Sequence, residues 1–157
     1  MDLVMGPEIG QDEAFTVTMP ELIDSFLTGY NCTFIAYGQT GTGKTHTVFG
    51  APSSLRLIPE TGDIHEQWGL FPRAITTMMR KMKDHSHFPY LFTVSVIEIY
   101  LGVIYDLLND KAEVQFMLST KGHLFGMKEV KLMSTEEVKN VIHIAMNQRV
   151  SSGTKCN

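Results

Sequence analysis

A chain of 157 residues has the length of one ordinary domain. Its 43% hydrophobic and 19% charged residues, with a formal net charge of −4, exclude a wholly disordered chain, which combines low hydrophobicity with high net charge. The same balance argues against a generic nucleic-acid binder, whose footprint is strongly basic, and no apolar run approaches the roughly 18–20 residues that span a bilayer.

Acid dominates the start of the chain: residues 1–37 carry Asp2, Glu8, Asp12, Glu13, Glu21 and Asp24 and neither Lys nor Arg. Without a basic n-region or an apolar h-region, no secretory signal is read there. A short strand is expected around Ala14–Val17. Thr18-Met19-Pro20-Glu21 predicts a helix start, with Thr18 as cap, Glu21 as capping-box partner and Pro20 in the first turn. Leu22, Ile23, Phe26 and Leu27 form its apolar face, and Gly29 ends it. Cys32-Thr33-Phe34-Ile35-Ala36-Tyr37 predicts a strand buried on both faces. Residues 50–69 form a long polar stretch, of a length usually reserved for functional or disordered loops.

Pro72 opens a further helix, striped by Phe71, Ile75, Met78 and Met82. His85 and His87, in Asp84-His85-Ser86-His87, read as a solvated loop rather than a zinc site. Leu91–Tyr100 is expected to be a strand, continued or paired by Val103–Leu108. Val114–Leu118 and His123–Leu132 flank Ser119-Thr120-Lys121-Gly122, which predicts a hairpin turn. Ser134-Thr135-Glu136-Glu137 is a capping box ahead of Val138, Val141, Ile142 and Ala145. Cys32 and Cys156 are the two cysteines; they form neither a disulfide framework nor a metal-ligand spacing and fit a reducing compartment. The order of elements is that of an α/β chain with mixed strand directions.

Gly38-Gln39-Thr40-Gly41-Thr42-Gly43-Lys44-Thr45 satisfies G-x-x-x-x-G-K-[ST] in full. Glycines let consecutive backbone N–H groups turn toward phosphate oxygens, and a following helix adds its positive end. Lys44 is placed to reach the β- and γ-phosphates, and the Thr45 hydroxyl to serve Mg²⁺, which takes hard oxygen ligands. A phosphate loop binds, but hydrolysis also needs a second Mg²⁺-holding acid and groups that orient the attacking water. Asp106 ends an apolar run and reads as a strand-end or turn residue rather than that acid. Glu98, inside an apolar strand, is expected to pair with a base or face solvent.

With these neighbours in view, the chain resembles part of a kinesin motor domain. The residues that carry the likeness run from Gly29-Tyr30-Asn31 through Ala36-Tyr37-Gly38-Gln39-Thr40-Gly41 to Lys44-Thr45-His46-Thr47. Gly69-Leu70-Phe71-Pro72-Arg73-Ala74, Val94-Ser95-Val96-Ile97-Glu98-Ile99-Tyr100, Ile104-Tyr105-Asp106-Leu107-Leu108, Ser134-Thr135-Glu136-Glu137-Val138 and Asn147-Gln148-Arg149-Val150 extend it. The resemblance implies a P-loop NTPase fold, with a mixed central sheet flanked by helices. It also implies ATP and Mg²⁺ as cofactors, microtubules (tubulin) as partner, and a place on the cytoplasmic cytoskeleton; neither nucleic acid nor membrane is expected. Gly38, Gln39, Thr40, Gly41, Thr42, Gly43, Lys44 and Thr45 would bind the triphosphate, with Thr45 on the metal. His46 matches a position that lies against the adenine, with a solvated helix residue as the alternative. Ala51–Trp68 matches an insertion near the nucleotide. Lys111, Lys121, Lys128 and Lys131 would face acidic tubulin, ordinary surface charge being the alternative.

The family pattern is also departed from. Its Arg-x-Arg-Pro strand has no counterpart in residues 1–30, and Thr154-Lys155-Cys156-Asn157 reaches only the first Asn of its switch I motif. The expectation is therefore a partial motor core over residues 1–157, without the first strand and without switch I and switch II chemistry. Such a chain would bind nucleotide and turn over little ATP by itself. The second reading is a truncated, non-catalytic nucleotide-binding or interaction protein derived from a kinesin.

Overall fold

The computed structural model describes residues 3–51, 64–84, 90–115, 117–118 and 124–153. They belong to two compact units, Met1–Phe88 and Pro89–Asn157.

The first unit is helical. Helices α1 (Gln11–Thr18) and α2 (Pro20–Leu27) follow one another almost without a break. The strand expected at Ala14–Val17 lies inside α1 instead. Asp12 and Glu13 occupy its first turn, where carboxylates complement the helix dipole. Ala14 and Phe15 pack on a core of Met19, Ile23, Leu70 and Ala74, so burial overrides the β-propensity of Phe15-Thr16-Val17. Thr18 does not cap α2. Its hydroxyl donates to Ala14 O at 2.7 Å, and Met19 precedes Pro20 without a side-chain cap. The predicted end of α2 is found: Tyr30 N donates to Ser25 O and Gly29 N to Phe26 O, the paired bonds that close a helix at a C′ glycine.

Residues 30–38 are the largest departure. They form no strand, and none of the described strands pairs with them. Their burial is uneven. Cys32 and Ala36 are half-buried, whereas Ile35 is 76% and Tyr37 98% exposed. Cys32 and Phe34 line an apolar groove of about 350 Å³ with Met19, Ile23, Val48 and Phe71. The segment thus covers one side on the helices, where the sequence predicted two.

Helix α3 (Lys44–Phe49) leads to Gly50, which bridges Trp68, and α4 (Leu70–Asp84) begins two residues further on. Phe49 and Phe71 meet edge to face at 5.6 Å. The expected stripe on α4 is present, with Ile75 buried and Phe71, Met78 and Met82 half-buried, but the buried face is broader and takes in Leu70, Pro72, Arg73, Ala74, Thr76 and Met79.

The second unit holds antiparallel strands and one long helix. The expected strand over 91–100 divides into β1 (Phe92–Val94) and β2 (Ile97–Tyr100). β2 pairs with β3 (Val103–Asp106) through a turn at Leu101 and Gly102, both at positive φ, the geometry of two-residue hairpins. β3 in turn pairs with β4 (Ala112–Glu113). β5 (Met117–Leu118) and β6 (Leu124–Phe125) pair as the sequence predicts; the turn residues between them lie outside the described residues. β7 (Val130–Leu132) pairs with β1. The capping box at α5 (Thr135–Gly153) is reciprocal: Ser134 N donates to Glu137 Oε2 at 3.0 Å and Glu137 N to Ser134 Oγ at 3.3 Å. Val138, Val141, Ile142 and Ala145 are buried as expected.

Candidate nucleotide site

Gly38 to Thr45 form one continuous turn into α3. Gln39, Thr40, Gly41, Thr42 and Gly43 are exposed, while Lys44 and Thr45 are half-buried. The turn is tied internally, because the Thr42 hydroxyl donates to Gln39 O at 2.8 Å. Gly43 caps α3 at φ 92°, ψ 8°, a left-handed conformation that side chains other than glycine rarely take. The first helical bond runs from Thr47 N to Gly43 O at 2.8 Å. Helical geometry then aims the amides of the leading turn out of the N-terminus. Lys44 folds back over the turn, with Nζ donating to Gly38 O at 2.8 Å and Gln39 O at 2.5 Å. An ammonium has three donors, so these two contacts hold the charge at the loop and leave one N–H for a further acceptor.

His46 is exposed on α3 and is contacted from α1. Gln11 Nε2 lies 2.7 Å from His46 O and 3.1 Å from its Nδ1. Arg73 is the other organising side chain, and periodicity gives no sign of it. Nε donates to Trp68 O at 2.7 Å, and Nη2 to Glu66 O at 2.7 Å and His65 O at 3.2 Å. Nη1 meets Asp12 Oδ1 at 2.7 Å. One buried guanidinium therefore gathers the chain where it returns from the insertion. At the same place Gly50 and Gly69 touch backbone to backbone: a Cβ on Gly69 would stand 2.5 Å from Gly50 N and 2.5 Å from Val48 C. The interior of the insertion, residues 52–63, lies outside the described residues.

In the second unit, Asp106 ends β3, the strand-end position expected. It is fully buried, and its carboxylate accepts from Leu108 N at 2.9 Å and Lys128 N at 2.6 Å. Glu98 pairs with Lys111 at 3.2 Å, and the ammonium also sits 5.5 Å from the Tyr105 ring centroid. Lys111 is thus engaged within its own unit. Lys128 and Lys131 are exposed; Lys121, His85, His87 and Cys156 lie outside the described residues. No described helix is long and apolar enough to cross a membrane.

A phosphate loop entering a helix within an α/β chain defines the P-loop NTPase class. Comparison with known proteins narrows the class. The kinesin motor domain family model matches residues 1–157, and the chain belongs to that family. It is 34% identical over 160 residues to the kinesin heavy chain of Syncephalastrum racemosum, covering 99% of this chain and 16% of the relative. It is 33% identical over 163 residues to the kinesin-like protein cut7 of Schizosaccharomyces pombe, covering 99% and 14%. The kinesin-like protein Klp61F of Drosophila melanogaster is 30% identical over 168 residues, covering 99% and 15%. A solved fast kinesin superposes with a TM-score of 0.76 at 27% identity, over 95% of this chain and 41% of that one. The chain therefore spans about a seventh of the curated relatives it matches.

Proposed function

We propose that this chain is the ATP-holding part of a kinesin-like microtubule motor, in which ATP hydrolysis is coupled to movement along microtubules. The observation that carries the reading is the Gly38–Thr45 turn, with its charge already held at the loop by Lys44, inside a chain matched end to end by the kinesin motor domain. The donor set suits a triphosphate: an ammonium with a donor to spare, leading-turn amides, and a hydroxyl one residue on. Lys44 would move from the loop carbonyls toward the β- and γ-phosphate oxygens. The turn would orient the triphosphate, and His46 would lie beside the base. Thr45 brings a hard oxygen, the ligand type that Mg²⁺ prefers, and the ion when bound neutralises charge between phosphates.

Titration with a fluorescent ATP analogue tests the site. Lys44→Ala removes a charge-assisted contact of roughly 1.5–3 kcal/mol, so affinity is expected to fall about ten- to a hundredfold. Thr45→Ala is expected to remove the part of binding that EDTA also removes. Equal affinities for the wild type and Lys44→Ala would sink the assignment. A phosphate-release assay with microtubules addresses turnover by this stretch of sequence. Little is expected, and rates of ~1–100 s⁻¹ would show that residues 1–157 suffice for hydrolysis.

A further inference from the structure

The contact between α1 and His46 settles which ring nitrogen carries the proton. His46 O can only accept, so the Gln11 atom 2.7 Å from it must be the NH₂ end of the amide. The same nitrogen lies 3.1 Å from His46 Nδ1. An amide nitrogen has hydrogens and no useful lone pair, so Nδ1 must be the acceptor and carry none. The neutral ring is then the Nε2–H tautomer, with its donor directed away from α1. A flipped amide would set two acceptor oxygens 2.7 Å apart, which excludes it.

We propose that Gln11 is a positioning residue of the nucleotide site: one NH₂ group, bonded to both the ring and the carbonyl of His46, fixes that ring as the Nε2–H tautomer and holds its plane. The bond to Nδ1 restrains rotation of the ring, and the bond to the carbonyl locks the ring against its own helix turn. Free imidazole exchanges between tautomers and rotamers. A held ring offers a constant face for stacking and a constant donor at Nε2. The sequence departs from the Arg-x-Arg-Pro pattern in residues 1–30, and Gln11 gives that region a contact with the site through His46. Only the consequence for nucleotide rests on the function proposed above; the tautomer rests on the two distances.

The test uses the 157-residue chain labelled with ¹⁵N-histidine, His46 being identified by the signal lost in His46→Gln. At mildly alkaline pH the ¹⁵N shifts report which nitrogen is protonated. The wild type is expected to be Nε2–H. Gln11→Ala should give a mixture of tautomers. Gln11→Glu, whose carboxylate can only accept, should invert the ring to Nδ1–H. Affinity for a fluorescent ATP analogue is expected to fall roughly fivefold in Gln11→Ala, the loss of about one net hydrogen bond. Glu13→Ala, two residues along α1 and exposed, should leave affinity and tautomer unchanged. A wild-type ring protonated on Nδ1, or one indifferent to Gln11→Ala, overturns the proposal. The expected tautomers with unchanged affinity overturn the role of Gln11 toward nucleotide. Absence of nucleotide binding in the wild type overturns the site itself, and the spectra still decide the ring.

Discussion

Arg73→Met isolates the guanidinium while keeping most of the apolar stem. The Arg73 side chain is 3% exposed and its partner Asp12 is 85% exposed, so the two kinds of contact differ in worth. The ion pair reaches water on the Asp12 side and contributes at most ~1 kcal/mol. The bond to Trp68 O is buried and its donor is charged, so its loss costs about 1.5–3 kcal/mol. The carbonyls of His65 and Glu66 are partly accessible and can recruit water, so each loses roughly the net ~0.5–1.5 kcal/mol of an ordinary hydrogen bond. Together these give a destabilisation of about 2–7 kcal/mol, large against a typical total of ~5–15 kcal/mol. The melting temperature is expected to fall on the order of 10 °C, at ~2–4 °C per kcal/mol for a chain of this size. Asp12→Ala should cost less than ~1 kcal/mol, and Arg73→Lys should fall between, because an ammonium cannot span all three carbonyls. Denaturant and thermal melts of the three variants decide it. If Arg73→Met melts with the wild type, or Asp12→Ala melts with Arg73→Met, the carbonyl clamp is not what holds this region.

Three further outcomes are expected. Ser134→Ala should destabilise by about 1 kcal/mol through loss of half the capping box, and a melt matching the wild type would show that Glu137 alone caps α5. Gly69→Ala places a Cβ against backbone at Gly50 and Val48, where nothing flexible can yield; a loss of at least ~2 kcal/mol and faster proteolysis within residues 51–67 are expected. The exposed side of residues 33–37 should drive self-association, so Ile35→Lys should shift size-exclusion profiles toward monomer; a wild-type chain that stays monodisperse at high concentration contradicts this.

The legible parts of the sequence were those whose cause is local. The α5 capping box needs only Ser134 and Glu137 three residues apart, and both bonds form. The closure at Gly29 and the hairpin of β5 with β6 are likewise short-range. Asp106 was readable as a strand-end or turn residue from its place after Val103-Ile104-Tyr105, and Glu98 as a charge that pairs with a base or faces solvent; the first ends β3 and the second pairs with Lys111. What stayed hidden depends on groups far apart in the chain. Phe15-Thr16-Val17 has β-propensity, yet packing on Met19, Ile23, Leu70 and Ala74 makes it helix. The apolar run at 32–37 fits a strand covered on both faces, but composition does not report whether neighbours are present. Arg73 sits in an amphipathic helix where a basic residue usually faces solvent; its burial depends on carbonyls delivered by the returning insertion. Gln11 and His46 are 35 positions apart, and neither carries a pattern that points to the other.

The base of the insertion adjoins the helix that leaves the phosphate loop, and its two ends meet there. The chain leaves at Gly50 and returns at Trp68, which bridge directly, so both ends are fixed at one point. Loop-closure entropy rises only ~0.6 kcal/mol for each doubling of length, and the cost of the excursion is nearly independent of its interior. The geometry that must be exact lies at the neck. There two residues without side chains allow backbone to meet backbone, and Arg73 gathers the carbonyls of His65, Glu66 and Trp68. Phe49 at the end of α3 packs on Phe71 at the start of α4, so the two helices also touch across the neck. A change at Gly69 or Arg73, which form the neck itself, is therefore expected to reach Lys44 through α3.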